Sequence, residues 1–389
     1  MQCRLTEGPN AYGMTASWGQ SGGGQPNNTL SVPPVPVTPT GTPSDPTPAP
    51  IPAPNTPILP PAPVAGAAPI PLYRPEAALY SAVPAVARQL GITTLGNFHD
   101  RQGDQSLLTG GNGTVSAAWG RVFGEHTSQQ WSGMTNPSFS GMVNGLQSGL
   151  DLFGWESDNG HRDRVGLFAA YGRAYGDVHG FSGGFQNVAV GTLSLDATSL
   201  GGYWTHIGPG DWYVDGVVMH SWYTGSPSSI GRLSAATDGT GFSASLESGY
   251  PFRLTPNLSI EPQAQLIYQH LSLAATQDQV SSVSFSGADA LSGRIGLRLQ
   301  GNYQNAAALL QPYLKANLWQ DFGGRDTVTF AGTDILDTRR MATALEFGGG
   351  IVAKVSSTVG VFAGASYTTN LDSNDRKTIQ GNAGIRVTW

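Results

Sequence analysis

Alternation with a period of two, sustained over segments of ten or more residues, constrains this chain more than any other feature. In the stretch Leu258, Ile260, Pro262, Ala264, Leu266, Tyr268 one side is apolar, while Glu261, Gln263, Gln265 and Gln269 fall on the other. Successive strand side chains point to opposite faces, so such a segment is a half-buried strand. The pattern returns with Ile295, Leu297, Leu299 against Arg294, Arg298, Gln300, and with Leu310, Pro312, Leu314, Ala316, Leu318 against Gln311, Lys315, Asn317. These runs exceed the five or six residues usual in globular sheets.

Twelve such segments can be marked: 114–126, 140–154, 162–178, 192–206, 211–224, 240–254, 257–271, 291–302, 308–322, 340–355, 358–370 and 377–389. Long connections (127–139, 179–191, 225–239, 272–290, 323–339) alternate with short ones (155–161, 207–210, 255–256, 303–307, 356–357). A β-sandwich has no reason to alternate in this way. An up-and-down barrel with an even strand number, short turns on one side of a membrane and long loops on the other does. The expected fold is therefore all-β, a twelve-stranded antiparallel transmembrane barrel. Aromatics near strand ends, such as Trp212–Tyr213, Trp222–Tyr223 and Tyr250 with Phe252, suit interfacial girdles.

Composition agrees. Charged residues make up 12% of the chain, about half the soluble norm. No run of about 18 apolar residues occurs, so any bilayer crossing must use strands. The net charge is −6 and Lys occurs only at 315, 354 and 377, which leaves no basic footprint for a nucleic-acid partner. The one cysteine, Cys3, excludes a disulfide framework and a Cys-based zinc site. It lacks the preceding apolar segment of a lipoprotein anchor, and residues 1–20 lack the apolar core of a signal peptide; the expectation is that Met1 lies within a longer gene product.

Ahead of the strands the pattern changes twice. From Pro33 to Pro71 there are sixteen prolines and one charge, Asp45. Fixed φ angles and missing donors make this an extended linker, reaching roughly 120 Å at ~3.1 Å per residue. Residues 1–32 read as a short, disordered passenger remnant. Within 72–110, Pro75 and Glu76 suit a first helical turn, and Leu79, Tyr80, Val83, Val86, Ala87 and Leu90 recur at helical spacing. Pro84 should bend or break this helix and Gly91 should stop it. The barrel domain follows over 111–389.

An even barrel puts the start of its first strand and the end of its last on one side. With long loops outward, both ends are periplasmic, and the Pro-rich chain reaches the outside only through the lumen. The alternation assigns Glu247, Glu261, Arg294, Arg298, Lys315, Glu346 and Arg386 to the lumen, a mixed polar lining able to hold a helix or simply to solvate a pore. In the last strand Ile379, Ala383, Ile385, Val387 and the terminal Trp389 share the lipid face, a natural template for strand pairing during insertion.

Several motifs in order carry a family resemblance: Leu72-Tyr-Arg-Pro-Glu76, Phe98-His-Asp-Arg-Gln-Gly103, Ala118-Trp-Gly-Arg-Val-Phe-Gly124, Gly202-Tyr-Trp-Thr205 with Trp212-Tyr-Val-Asp-Gly216, and the terminal aromatic strand. Residues 72–389 resemble the β-domain of autotransporters of the pertactin and AIDA type. The resemblance implies a twelve-stranded barrel with a helix in its pore and passage of the chain's own N-terminal passenger to the surface of a Gram-negative cell. It also implies insertion by the barrel assembly machinery through Ile385, Val387 and Trp389, with periplasmic chaperones as further partners. Some members cut their linker at an Asn-Asn pair; residues 75–105 hold only Asn97.

Signals for chemistry are weak. No two of His99, His126, His161, His179, His206, His220 and His270 stand at metal-ligand spacing in sequence. No phosphate-binding glycine loop occurs. His220 and Ser221, adjacent in sequence, should point to opposite faces. An enzyme and a cofactor are not expected. A barrel hydrolase and a plain porin or adhesin anchor are the competing classes, and the helix with its Pro-rich lead argues against the porin.

Overall fold

The computed structural model describes residues 2–7, 14–19, 70–103, 113–286, 289–304, 309–372 and 375–389. The Pro-rich linker, but for its last two residues, lies outside the described residues, as does most of 1–32. Within the latter, Gln2–Glu7 pairs antiparallel with Met14–Gly19, where no order was expected.

Twelve long strands follow in chain order: β1 Gly113–Gln130, β2 Ser138–Glu156, β3 Arg162–Ser182, β4 Phe185–Ile207, β5 Tyr213–Gly225, β6 Thr237–Gly249, β7 Leu258–Leu273, β8 Ala290–Gly301, β9 Leu309–Asp321, β10 Ala342–Lys354, β11 Val359–Asn370 and β12 Arg376–Thr388. Each pairs antiparallel with the next, and β12 pairs with β1 from Arg376↔Gln129 to Thr388↔Ala117, which closes the barrel. Closure removes the free edges that would otherwise expose backbone groups to lipid.

The burial pattern inverts that of a soluble protein. Arg101, Arg294 and Arg386 are among the largest fully buried side chains, while Leu146, Leu167, Leu200, Val218, Leu246 and Leu266 are exposed. Outward aromatics form two rings, with Phe153, Trp155, Trp204 and Tyr250 toward the short turns and Tyr171, Tyr175, Trp222 and Tyr268 toward the other end. An apolar belt between aromatic rings is the surface a bilayer requires.

The long connections depart from expectation. Residues 179–191 are mostly strand, because Phe181-Ser-Gly-Gly-Phe185 is a hairpin signal: Gly183 and Gly184 take the left-handed φ values of 60° and 87° that the reversal needs. The 127–139 segment is strand at its two ends, 127–130 and 138–139. Connections 272–290 and 323–339 contribute Thr276–Gln277, Ser282–Ser286, Arg325–Phe330 and Asp334–Arg339, which assemble into a separate four-stranded sheet. Ala331 and Gly332, both at positive φ, turn the last hairpin.

β3 and β4 run past the apolar belt. Past Tyr171 their outward residues, Tyr175 apart, turn polar, with Arg173, Asp177, Asp196 and Ser194. The ten residues from Arg173 to Ser182 rise roughly 20 Å above it, at ~3.3 Å per residue and the usual tilt. Their inner faces, Ala174, Val178, Phe181, Leu193 and Leu195, join Val283, Val328, Phe330 and Leu336 of the loop sheet in the largest apolar core of the molecule. This core is a cup at the outer mouth, and a helix fills it.

The helix-filled lumen as candidate functional site

Helix α1, Pro75–Leu95, begins at a proline whose missing N–H costs nothing in the first turn, with Glu76 near the positive end of the helix dipole. It runs through Pro84 as one continuous helix, so the proline does not break it. Nearly every side chain is buried, and packing on all sides outweighs the ~3 kcal/mol an interior proline costs. Gly91 does not stop it either. A Cβ there would lie 2.9 Å from the Gln269 amide and 3.0 Å from the Tyr223 hydroxyl, so Gly91 lets the wall approach. The stop is Gly96, at φ +63°, whose N–H bonds the Ile92 carbonyl at 3.0 Å. Asn97 then caps a second short helix, α2, Phe98–Gln102, by accepting from the Asp100 N–H at 2.8 Å.

The helices run along the bore in one direction. At the outer end the Tyr73 carbonyl accepts from Gly183 N–H (2.8 Å) and Ser182 Oγ (3.0 Å) at the tip of the β3–β4 hairpin. Arg74 pairs with Asp278 at 2.8 Å and donates to Ser281 at 2.7 Å. One turn down, Tyr80 stacks on Phe330 with centroids 6.1 Å apart, and Arg88 pairs with Asp326 at 3.1 Å. Small residues set the fit: a Cβ on Gly180 would meet that of Ala78 at 2.5 Å. At the outer rim, hydrogen bonds from His270 and Tyr268 hold Asp289 below the usual carboxylate range.

From Leu90 inward the surroundings become polar. Gln89 and Thr93 donate to Glu125 at 2.8 and 3.1 Å. Arg121 donates to the Thr93 and Thr94 carbonyls at 3.2 and 2.6 Å, a cation at the helix C-terminus where the dipole favours it. Lower still, Glu247 accepts from Phe98 N–H at 2.9 Å and Tyr213 hydroxyl at 2.8 Å, and pairs with Arg294 at 2.9 Å. Arg294 also reaches Gln265, Gln263 and Asn317. Glu261 meets His99 at 2.9 Å. Lys315 pairs with Glu346 at 2.8 Å and lies 3.8 Å from Asp100. Arg386 donates to Gln102 at 2.9 Å and pairs with Asp151, and Arg101 pairs with Asp215. Arg298 lies over the Tyr313 ring, 4.1 Å from its centroid, and its three nitrogens find no hydrogen-bond partner among the described residues.

Of the seven charged positions expected in the lumen, Glu247, Glu261, Lys315, Arg386 and, through Glu247, Arg294 touch or approach α2. Outward, Ile385 and Trp389 are exposed and Val387 half-buried. His220 lies beside Trp222 on the outside, while Ser221 is buried and bonded to Ser199 at 2.7 Å. Not singled out from sequence were Arg121, Glu125, Asp151 and Asp215, although their place in the period of two marks each as inward. The long-range partners Asp278 and Asp326 carried no such mark, because they stand in segments read as loops.

Comparison with known proteins agrees with this architecture. The autotransporter β-domain family matches residues 118–366. The adhesin BmaC autotransporter of Brucella suis is 25% identical over 82% of this chain, which spans 10% of that protein. YdeU of Escherichia coli K12, itself uncharacterised, is 26% identical, with 82% of this chain matching 70% of it. Pertactin autotransporter of Bordetella bronchiseptica is 28% identical over 72% of this chain and 29% of its own length. Among solved structures, the transport unit of AIDA-I from Escherichia coli superposes with a TM-score of 0.63, 18% identity, and coverage of 82% of this chain and all of that one. The translocator domain of NalP from Neisseria meningitidis gives 0.55, 18%, 80% and 97%. The chain belongs to the autotransporter β-domain family and is an outer-membrane translocator barrel of a Gram-negative bacterium.

Proposed function

We propose that this barrel passes the polypeptide N-terminal to α1 through its lumen to the cell surface and then retains α1 and α2 as a plug that anchors what has been exported. The direction of α1 carries the reading. β1 starts at the short-turn end, and the chain before it climbs the bore and leaves at the opposite, long-loop mouth beside Ser182 and Gly183. Residues 1–32 then stand outside the cell on the Pro-rich linker of 33–71. The outward Ile385 and Trp389, with Val387 between them, are the face that the barrel assembly machinery reads, after periplasmic chaperones deliver the unfolded chain. An epitope tag inserted near residue 30 tests the export step. Antibody should label intact cells; labelling only after the outer membrane is permeabilised would refute the proposal.

A further inference from the structure

At the short-turn rim, away from the lumen, three side chains that export does not use converge. His161 ends the β2–β3 turn, His206 is the next-to-last residue of β4, and the ladder sets Asp163 directly opposite His206. His161 Nδ1 lies 3.1 Å from His206 Nε2. On its other nitrogen, Nδ1, His206 meets Asp163 Oδ1 at 2.9 Å, and the Trp204 indole N–H donates to the same oxygen at 2.9 Å. Trp212 packs against both imidazoles, with centroids 6.2 and 5.2 Å away.

An ionised carboxylate only accepts hydrogen bonds, so His206 donates from Nδ1 and turns a lone pair on Nε2 toward His161. A carboxylate on the far nitrogen is what fixes the tautomer and raises the basicity of metal-ligating histidines, and here the indole fixes the carboxylate in turn. Two nitrogens bound to one tetrahedral zinc at 2.0–2.1 Å stand about 3.3 Å apart. The observed separation is within a few tenths of an ångström of that, so a small swing of the rings replaces the hydrogen bond with a shared ion.

We propose that His161 Nδ1 and His206 Nε2 form a binding site for a divalent transition metal, with water completing the coordination and Asp163 orienting His206. Two imidazoles select copper, nickel or zinc over the hard cations magnesium and calcium. The ion clamps the 157–160 turn to the end of β4 at the periplasmic rim.

The test uses the full chain folded in detergent and stripped with a chelator, titrated calorimetrically with Zn²⁺, Cu²⁺ and Mg²⁺. One site should bind Cu²⁺ most tightly and Mg²⁺ not at all. His161→Gln and His206→Gln should each lose that site, Asp163→Asn should weaken it about tenfold or more, and His126→Gln should leave it unchanged. Folding of each variant is read from its heat-modifiable gel mobility. Should a variant fail to fold, electron paramagnetic resonance of the Cu²⁺-loaded parent decides: splitting from two imidazole nitrogens supports the site. Parental affinity in both histidine variants, or a copper signal without two nitrogens, overturns it.

Discussion

Glu247 shows what a lumen residue does here: one carboxylate bonds Arg294, the Tyr213 hydroxyl and the first N–H of α2, fully enclosed. Replacing it with Leu leaves Arg294 a buried cation without its anion, which costs about 3–5 kcal/mol. Glu247→Leu should therefore lower the temperature at which the folded gel band converts to the unfolded one, and Glu247→Gln, which keeps an acceptor, should lower it less. Equal conversion temperatures for parent and Glu247→Leu would show that the network adds no stability. Gly96→Ala meets two obstacles, a left-handed φ and Arg121 nitrogens 2.8 Å from the new Cβ. It should destabilise by more than about 1 kcal/mol in the same assay. Strand parity made the inward direction of Glu247 and Arg294 legible in the sequence, but their partnership was not. They stand on β6 and β8 with β7 between them, and only the register of three strands brings them together. His161 and His206, 45 residues apart, were passed over for the same reason.

The helices are the element on which the mechanism turns. Sequence spacing revealed α1 and its start, because Pro75 and Glu76 are local signals. Its end was misplaced, because Gly91 and Pro84 read as breakers when only the surrounding wall tells that they sit in close packing. The loop sheet was missed although Thr327-Val-Thr-Phe330 alternates and Ala331-Gly332 turns. Its apolar side joins a core built from distant elements, α1 among them through Tyr80 on Phe330, and its strands are too short to announce themselves alone. A twelve-stranded ring is too wide for its own side chains to fill. Deleting residues 1–96 should accordingly raise single-channel conductance in planar bilayers, while deleting 1–70 should change it little. Identical conductance for the two truncations would mean that α1 does not obstruct the pore.

For the molecule as a whole, closure depends on the β12–β1 seam, and the last residue still contributes, its N–H reaching the Ser116 carbonyl at 3.3 Å while its indole faces outward. Trp389→Asp should cut the yield of assembled barrel in the outer membrane far more than Thr388→Asp, whose side chain faces the polar interior; matching yields would contradict the lipid-facing role. The number of strands and their inside–outside alternation were fully legible, since lipid outside and water inside impose one rule on every strand. The height of β3 and β4 was not. Because Tyr73 is fastened at the tip of that hairpin, a chain exported as proposed parts from the barrel roughly 20 Å above the apolar belt. On that route the hairpin would act as a mast: a chain leaving at Tyr73 starts clear of the headgroups and of the sugar layer nearest them, so length N-terminal to it would count as reach beyond the cell rather than as slack spent in escaping the surface.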